Sequence, residues 1–425
     1  MKIAVVGSGI SGLSCAYRLV EAGHEVSLLE AGAYFGGHSN TVDVTFDGVT
    51  HGVDTGFLVF NHRTYPRLTA LFEELGVDTA ASDMGFSVKL PTGGRMLEWA
   101  GGNLDQVFCQ RGNLLRPAFL RMLRDILRFN RAATALAQGA APKISLGTYL
   151  LEQGYSSQFR DWYLLPMAAC IWSCPSEQML AFPLASFVRF CHNHGLLQVN
   201  DRPQWHTVRG GSRHYVERLL AAIPDRHLNT PVLALERGPL GVLVTTARGE
   251  QRFDEVVLAC HSDQSLALLA DADGIERGVL GAVRYQANRA VLHTDTSCLP
   301  ADRKAWSAWN YQGSGDADGD AQQRVCVHYL LNKLQPLPFE QPVIVSLNPL
   351  TEPEAGSVLR EFSYAHPVFD AAAVAAQQRL HDIQGRKQVW FAGAWTGYGF
   401  HEDGLRSGLA VADAIVARQR IARAA

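Results

Sequence analysis

A glycine-rich turn near the N-terminus is the first candidate for binding chemistry. Gly7, Gly9 and Gly12 follow a β-branched run at residues 2–6 and precede apolar positions with helical spacing at residues 13–22. In this pattern the first glycine permits a tight turn, the second lets a diphosphate approach the backbone, and the third lets helix and strand pack closely. The whole turn comprises Gly7, Ser8, Gly9, Ile10, Ser11 and Gly12. Because unpaired N–H groups at a helix start attract phosphates, the pattern predicts dinucleotide binding.

An acid lies where such a turn requires one. Residues 24–30 read as a second strand that ends at Glu30, which completes a βαβ unit of about thirty residues. A carboxylate at this position binds ribose hydroxyls. Nicotinamide and flavin dinucleotides share this half of the molecule, so the turn and Glu30 leave the choice between NAD and FAD open.

Several later motifs favour FAD. They are Gly36-Gly37-His38, residues 53–57, 205–212, 231–232 and 253–259, and the closing segments 391–393 and 403–408. Together they resemble the flavin superfamily of amine oxidases, protoporphyrinogen oxidases and phytoene desaturases, in particular a group of bacterial FAD/NAD-binding, amine-oxidase-like proteins. The resemblance covers most of a cofactor domain and little of residues 90–200. Some members bind FAD through a cysteine near the closing motif, but no cysteine follows Cys326, so we expect noncovalent FAD.

The resemblance also implies which residues contact FAD. Besides the turn and Glu30, they are Ala31, Gly37, His38, Thr55, Gly56, Phe57, Val232, Gly393, Asp403, Gly404 and Leu405. The family has an arginine facing the pyrophosphate where His38 stands, and an acid where Ala394-Trp395 stands. Glu402 or Asp403 is the candidate replacement for that acid. A helix N-terminus in the closing motif is expected to face the pyrimidine end of the isoalloxazine and to stabilise negative charge on reduced flavin.

The expected chemistry is hydride transfer from a C–H bond held over flavin N5, for which the protein supplies position and dryness. Residues that would line the ring are Phe57, Asn61, Trp395, Tyr398, Phe400 and His401, although these aromatic side chains would equally serve to pack the closing loop. Amine oxidases carry a lysine near N5 on a strand that resembles residues 288–293, and Arg289 or Asn288 takes its place here. The predicted catalytic residues are Trp395, Tyr398, His401 and Arg289. His293 and His328 are either acid–base groups or hydrogen-bonded core histidines.

A chain of 425 residues exceeds one hydrophobic core, and the order of its elements predicts a discontinuous α/β architecture. We assign residues 1–88, 205–275 and 385–425 to a Rossmann-like FAD-binding domain. Residues 89–204 and 276–384 form the substrate domain, an α+β unit of mixed sheet plus helices.

Residues 111–136 combine apolar residues at helical spacing with a basic remainder. The apolar set is Leu115, Phe119, Leu120, Leu123, Ile126 and Leu127, and the basic set is Arg116, Arg121, Arg124, Arg128 and Arg131. This composition is typical of an interfacial helix attracted to anionic lipid. The alternative is a solvated helix that packs on its own domain.

Composition excludes other classes of function. The net charge of -3 gives no field that would recruit nucleic acid. The 8 cysteines contain no CxxC pair, so neither a disulfide scaffold nor a metal site is expected. The N-terminal apolar run is too short for a secretory signal, and no window of about eighteen apolar residues predicts a transmembrane helix. We expect a cytoplasmic protein, with peripheral contact at the inner membrane face if residues 111–136 bind lipid; the oligomeric state stays open.

Three functions follow from these observations. The first is oxidation, desaturation or isomerisation of a C–C unit in an apolar small molecule such as a lipid or isoprenoid chain. The second is amine oxidation that yields imine and hydrogen peroxide. The third is a flavin-binding regulatory protein without turnover.

Overall fold

A computed structural model describes residues 1–139, 141–172, 176–198, 202–314 and 326–424, and a parallel sheet forms the centre of the cofactor-binding part. Its strands are β1 (Lys2–Val6), β2 (Glu25–Leu29), β9 (Asp225–His227), β13 (Glu255–Leu258) and β19 (Val389–Phe391). Their order is β19-β13-β1-β2-β9, and every neighbouring pair is parallel. The short apolar runs predicted at both ends of the chain therefore meet in one sheet, as buried parallel strands require.

Both faces of this sheet are covered, because successive side chains of a strand point to opposite faces. Four helices cover one face: α1 (Ile10–Glu21), α2 (Pro66–Leu75), α10 (Arg213–Ala221) and α15 (His401–Ala424). The other face packs against β10 (Val232–Gly238), β11 (Gly241–Thr246), β12 (Gly249–Phe253), α11 (Ser262–Leu268), α12 (Gly274–Leu280) and α14 (Ala371–Gln378). Ile3 and Val5 of β1 enter the first core, and Ala4 and Val6 enter the second.

A second, larger sheet is mixed. It contains β6 (Phe86–Thr92), β7 (Arg95–Ala100), β14 (Arg284–His293), β15 (Trp309–Gln312), β16 (Cys326–Leu330), β17 (Ile344–Leu347) and β18 (Val358–Val368). The order is β18-β14-β17-β16-β15-β6-β7, and only β15 and β6 pair in parallel. The short helix α13 (Leu331–Leu334) follows β16. Two separate antiparallel pairs are the hairpin of β3 (Thr41–Phe46) and β4 (Val49–Asp54), and β5 (Thr79–Ser82) with β8 (Trp205–Val208), which are distant in sequence.

A helical layer lies against the larger sheet. Its helices are α3 (Leu104–Val107), α4 (Pro117–Gln138), α5 (Leu146–Glu152), α6 (Ser157–Phe159), α7 (Leu165–Trp172), α8 (Ser176–Leu180) and α9 (Leu184–Asn193). Aromatic side chains, among them Phe129, Phe159, Phe187 and Phe190, form its core. Among the described helices, none is long and apolar enough to cross a bilayer.

The predicted α/β class with a mixed second sheet is confirmed. The domain boundaries stay a prediction, and some elements fall beside them. Strand β6 of the larger sheet begins at Phe86, before the predicted boundary at residue 88, and α14 packs on the cofactor side although residues 276–384 were assigned to the substrate domain.

Helices α1 and α15 approach each other closely at their N-terminal turns. A Cβ atom at Gly408 of α15 would lie 2.2 Å from the backbone oxygen of Ser11 in α1. One at Gly404 would lie 2.9 Å from Ile10 Cγ2. Only glycine at these positions lets both helix starts reach the same edge of the parallel sheet.

Replacing Gly408 by alanine tests this contact. A helical glycine usually gains about 1 kcal/mol on replacement by alanine, but here the methyl group meets backbone, and overpacking costs about 1–3 kcal/mol. We expect urea denaturation of Gly408→Ala to show a lower free energy of unfolding. The matched control is Gly278→Ala in α12, where a Cβ atom meets nothing within 4 Å, and this variant should be as stable as the parent or more so. Equal behaviour of the two variants would contradict the close approach.

Candidate functional site

The glycine-rich turn has the geometry that its sequence predicts. Gly7 adopts φ +100°, and a Cβ atom there would lie 2.7 Å from the backbone oxygen of Ala259, just after β13. A Cβ atom at Gly12 would lie 1.9 Å from Gly7 O, so the helix packs directly on the turn. Gly9 caps α1 without a side-chain hydrogen bond, and nothing lies within 4 Å of its ideal Cβ. No N-cap side chain therefore occupies the first N–H groups of α1, as an anion site at a helix start requires.

Glu30 lies at the end of β2 beside this turn. Its carboxylate accepts hydrogen bonds from Ser8 N at 2.9 Å, Ser8 Oγ at 2.6 Å and Gly32 N at 2.7 Å. Ala31 follows directly in the loop, and Thr230 N donates to Glu30 O at 2.8 Å, which brings the start of β10 at Val232 near the same edge. These contacts fix the carboxylate where the ribose of a dinucleotide would lie.

The second glycine pair rests on the first turn. Gly36 N donates to Ser8 O at 3.1 Å, and a Cβ atom at Gly37 would lie 3.2 Å from Gly9 Cα. The next residue, His38, is half-buried, and its buried Nε2 atom has no hydrogen-bond partner in the described residues. Burial, followed by the neighbouring histidine His366, lowers the pKa of His38 well below its usual range. A buried polar atom without a partner indicates a place for a ligand group.

The segment after β4 folds over the His38 loop. Phe57 N donates to His38 O at 2.7 Å, and a Cβ atom at Gly56 would lie 2.3 Å from that oxygen, inside contact distance. Thr55 Oγ1 donates to Asn40 O at 3.0 Å and lies 2.8 Å from the hydroxyl of Tyr364. Thr55, Gly56 and Phe57 are thus brought to the glycine pair.

His401 is the first residue of α15 and contacts Phe57. Its ring stacks on Phe57 with centroids 3.8 Å apart, and Nε2 lies 2.7 Å from Tyr215 OH and 3.1 Å from Ser39 Oγ. Burial lowers the pKa of His401 to about 3, so the imidazole is neutral at neutral pH. Leu405, one turn on, is fully buried in the core shared with α1.

The two acids of the closing motif act as caps. Asp403 accepts hydrogen bonds from Tyr398 N at 3.0 Å and Phe400 N at 3.2 Å and pairs with Arg406. Glu402 accepts from the backbone N–H groups of Arg67 and Leu68 at the start of α2. Each carboxylate thus already compensates backbone donors, and replacement by either of the acid that Ala394-Trp395 lacks stays a prediction. The backbone at Asp403 and Gly404 remains at the helix start, and Gly393 N donates to Ser407 Oγ at 3.2 Å.

The predicted ring-lining aromatic residues divide into two groups. Trp395 is buried in the core behind the parallel sheet, with Phe391 and Leu258, which places it away from His401 and Phe57. Tyr398 and Phe400 pack against the helical layer, where Phe400 stacks on Phe190 with centroids 5.0 Å apart. Asn61 holds a local turn, because its Oδ1 accepts from Arg63 N and Thr64 N.

Arg289 does not lie where a residue near flavin N5 is expected. Its guanidinium is on the exposed side of β14 and pairs with Glu352 and Glu361, both at 2.7 Å. The neighbouring residue Asn288 points inward and is buried. Its Nδ2 lies 3.1 Å from His366 Nδ1, and its Oδ1 accepts from Asn348 Nδ2 at 2.8 Å. Since alternate residues of a strand face opposite sides, Asn288 faces the interior and Arg289 faces solvent, so Asn288 is the one of the two that stays a candidate for the place of the amine-oxidase lysine.

The two strand histidines belong to a closed hydrogen-bond chain. Ser346 Oγ lies 2.6 Å from both His293 Nε2 and His328 Nδ1, and Asp295 N donates to His293 Nδ1 at 3.1 Å. His328 Nε2 lies 2.8 Å from Gln312 Oε1. Cys298 comes within 4.8 Å of the two rings, but this network already engages all four imidazole nitrogens. The observed bonds are those of core histidines.

Sequence reasoning missed three residues that surround His38. Tyr364 stacks on it with centroids 4.8 Å apart, and His366 lies at 5.3 Å. Both residues lie on β18, and the mixed polar and aromatic sequence of this strand gave no signal for a binding site. His261 follows β13 at the carboxyl edge of the parallel sheet, where ligands of such sheets bind; that position was the available signal.

These residues fit the adenosine diphosphate half of FAD and its ring. The uncapped start of α1 and the unpartnered His38 Nε2 suit the diphosphate, Glu30 suits the ribose, and the start of α15 suits the pyrimidine end of the ring.

Glu30→Gln tests the ribose contact. A neutral amide removes hydrogen bonds to a charged acceptor, each contributing about 1.5–3 kcal/mol, so we expect FAD to bind the apoprotein about 10- to 100-fold more weakly. Fluorescence titration measures the dissociation constant. Glu25→Gln, at the opposite end of β2 and exposed, is the control and should bind FAD as the parent does. Unchanged affinity of Glu30→Gln would contradict the assignment.

Comparison with known proteins agrees with this site. The family model for flavin containing amine oxidoreductases matches residues 10–284, more than half of the chain. A putative flavin-containing monoamine oxidase of Mycobacterium tuberculosis is 26% identical over 286 residues, which are 64% of this chain and 59% of that protein. The chain therefore matches less than two thirds of that relative.

Similar proteins include other activities as well. A zeta-carotene desaturase of Synechocystis is 40% identical over 76 residues, 18% of this chain and 15% of that protein. The fold is that of cyclohexylamine oxidase from Brevibacterium oxydans, with a TM-score of 0.71 and 17% identity over 99% of both chains. The chain belongs to the flavin containing amine oxidoreductase family.

Proposed function

We propose that this flavoprotein oxidises, desaturates or isomerises a C–C unit of an apolar, lipid-like substrate. FAD supplies the hydride acceptor. The carrying observation is the exposed leucine and arginine surface within residues 114–131, described below. Tyr364, which contacts Thr55 and His38, packs on a buried core that includes Ala290, Leu292, Val345 and Leu347 of the sheet. Behind Tyr364 the protein is therefore apolar and closely packed.

The charges near the site support the same choice. Asp54 is fully buried and accepts hydrogen bonds from Ser212 N and Oγ, and Glu402 and Asp403 cap backbone groups as described above. All three carboxylates therefore already accept hydrogen bonds from the protein before a cationic amine binds. With Asn288 in place of the amine-oxidase lysine, the chain lacks that group as well.

The protein's own residues have three tasks in this proposal. The start of α15 and the Phe57–His401 stack hold the ring. The closing loop joins the helical layer through Tyr398 and Phe400, which excludes water from the ring face. The amide of Asn288 bonds to Gln286 O, His366 and Asn348, so it holds the His366 ring beside His38 without placing a charge beside a hydrocarbon.

Helix α4 and the turn before it provide a surface suited to a lipid source. Leu114, Leu115, Leu120 and Leu127 are 48%, 88%, 43% and 57% exposed. Leu120, Arg124, Leu127 and Arg131 share one helix face by their spacing. Arg121, Arg124 and Arg131 are exposed, and in the described parts of the chain none forms an ion pair. The buried side of α4, with Phe119, Met122 and Phe129, packs on the protein, so the helix both packs inward and presents apolar and basic groups outward.

Amine oxidation is the second candidate, supported by the monoamine oxidase among the similar sequences. The two candidates differ in the electron donor. The amine must be oxidised at a C–N unit, and the lipid at a C–C unit.

Anaerobic mixing of the FAD-loaded protein with each donor class separates the candidates. We expect fatty-acyl or isoprenoid lipids in vesicles to bleach the flavin absorbance or to be isomerised, and mono- and polyamines to leave both unchanged. Mass spectrometry of the lipid distinguishes desaturation, a loss of two hydrogens, from isomerisation at constant mass. Rapid bleaching by an amine alone would establish the second candidate. If no donor bleaches the flavin and no lipid changes, the protein is a flavin-binding protein without turnover.

The lipid surface is tested by charge reversal at Arg121, Arg124 and Arg131. Each basic residue near an anionic membrane contributes about 1 kcal/mol, so we expect the triple glutamate variant to bind phosphatidylserine vesicles at least about 100-fold more weakly in sedimentation. The control reverses three exposed arginines elsewhere, Arg252, Arg277 and Arg360, with the same change in net charge. Equal loss in both variants would show that only net charge matters, and no binding by the parent would remove the membrane source.

A further inference from the structure

We propose that FAD binding draws one proton from solvent onto His38, so that an imidazolium forms at the diphosphate only when the cofactor is bound. This inference concerns the cofactor and is independent of the substrate. It makes FAD affinity depend on proton concentration.

His38 lies in a loop that packs on the glycine-rich turn. Gly37 lies against Gly9, and Gly36 N donates to Ser8 O. The uncapped start of α1 faces the same space. A diphosphate held by those N–H groups therefore comes within reach of the residue that follows the glycine pair.

One ring nitrogen of His38 is available to a ligand. His38 Nε2 is buried and has no hydrogen-bond partner in the described residues. The other histidines nearby are engaged: His366 Nδ1 with Asn288, and His401 Nε2 with Ser39 and Tyr215. The ring of His261 stacks on Tyr285 with centroids 4.1 Å apart. His38 is thus the histidine prepared to bond a ligand.

The groups around His38 favour its neutral form. The titratable groups that face His38 are His366 and Tyr364 on β18, His261 after β13, and His401 at the start of α15. Burial and the three histidines lower its pKa, and no lysine or arginine of the described residues contributes. Burial raises the pKa of Tyr364, so its phenol stays neutral. Without FAD, His38 is therefore neutral at neutral pH.

A bound diphosphate reverses this balance. Its negative charge favours the imidazolium, because an opposite charge within about 4–6 Å stabilises the charged form. The proton comes from solvent, and no electron moves. By linkage, uptake of one proton raises the association constant tenfold for each unit by which pH falls, between the His38 pKa values of the FAD-bound and free protein.

Calorimetry of FAD binding to the apoprotein measures the proton directly. Titrations at pH 7 in buffers of different ionisation enthalpy give the number of protons taken up, and we expect close to one. The dissociation constant should fall as pH is lowered from 8 to 6.

Two variants assign the proton to His38. His38→Arg carries a permanent charge, so we expect FAD to bind without proton uptake and with little pH dependence. His38→Gln should bind more weakly and also without uptake. His381→Gln, at an exposed histidine far from the turn, should behave as the parent.

The possible results are distinct. Binding to the parent without proton uptake overturns this proposal and leaves the proposed function intact. Uptake that persists in His38→Gln assigns the proton to another histidine and also overturns it. Failure of the parent to bind FAD would overturn the cofactor assignment, and this proposal with it.

Discussion

The contact between α1 and α15 is the constraint on which the site depends. An anion site at the start of α1 and a second helix start at His401 serve one cofactor only if both reach the same edge of the sheet. Gly404 and Gly408 allow this, since a Cβ atom at Gly404 would lie 2.9 Å from Ile10 Cγ2 and one at Gly408 would lie 2.2 Å from Ser11 O. The β-strands bring the two chain ends together, and these two glycines let the helices approach closely.

A buried carboxylate ties the cofactor site to the second sheet. Asp54 ends β4, accepts hydrogen bonds from Thr41 and Ser212 on the cofactor side, and accepts one from Gln335 Nε2, after α13, at 3.1 Å. Burial raises the pKa of Asp54, while the hydrogen bonds from Thr41 and Ser212 oppose that shift. A charge removed from water is tolerated only with such partners. Hydrogen bonds at Asp54 thus link β3, β4, the start of α10 and Gln335.

Local sequence patterns were enough to predict the glycine-rich turn. The features that the sequence did not predict depend on contacts between segments that are distant in the chain. Spacing of Gly7, Gly9 and Gly12 fixes a turn by covalent geometry alone, so it is readable without a structure. The choice between Asn288 and Arg289 depends on which face of β14 turns inward, which its pairing with β18 decides. Likewise, Asp403 and Glu402 look like cofactor ligands in the sequence, yet each compensates backbone donors brought near only by folding.

At the predicted diphosphate site the described residues include His38 where the family has an arginine, and this bears on the kind of substrate that the scaffold accepts. A permanent guanidinium keeps its charge whether or not FAD is present and must stay hydrated or paired in the free protein. His38 and His401 are neutral when buried, and the charges of β14 lie outside, where Arg289 pairs with Glu352 and Glu361. Once FAD is bound, the His38 imidazolium is paired with the diphosphate, and the buried Asp54 is already held by Thr41, Ser212 and Gln335. A hydrocarbon that packs beside Tyr364 therefore displaces water without separating these charges from their partners, and this makes an apolar substrate energetically compatible with the same residues that hold the flavin.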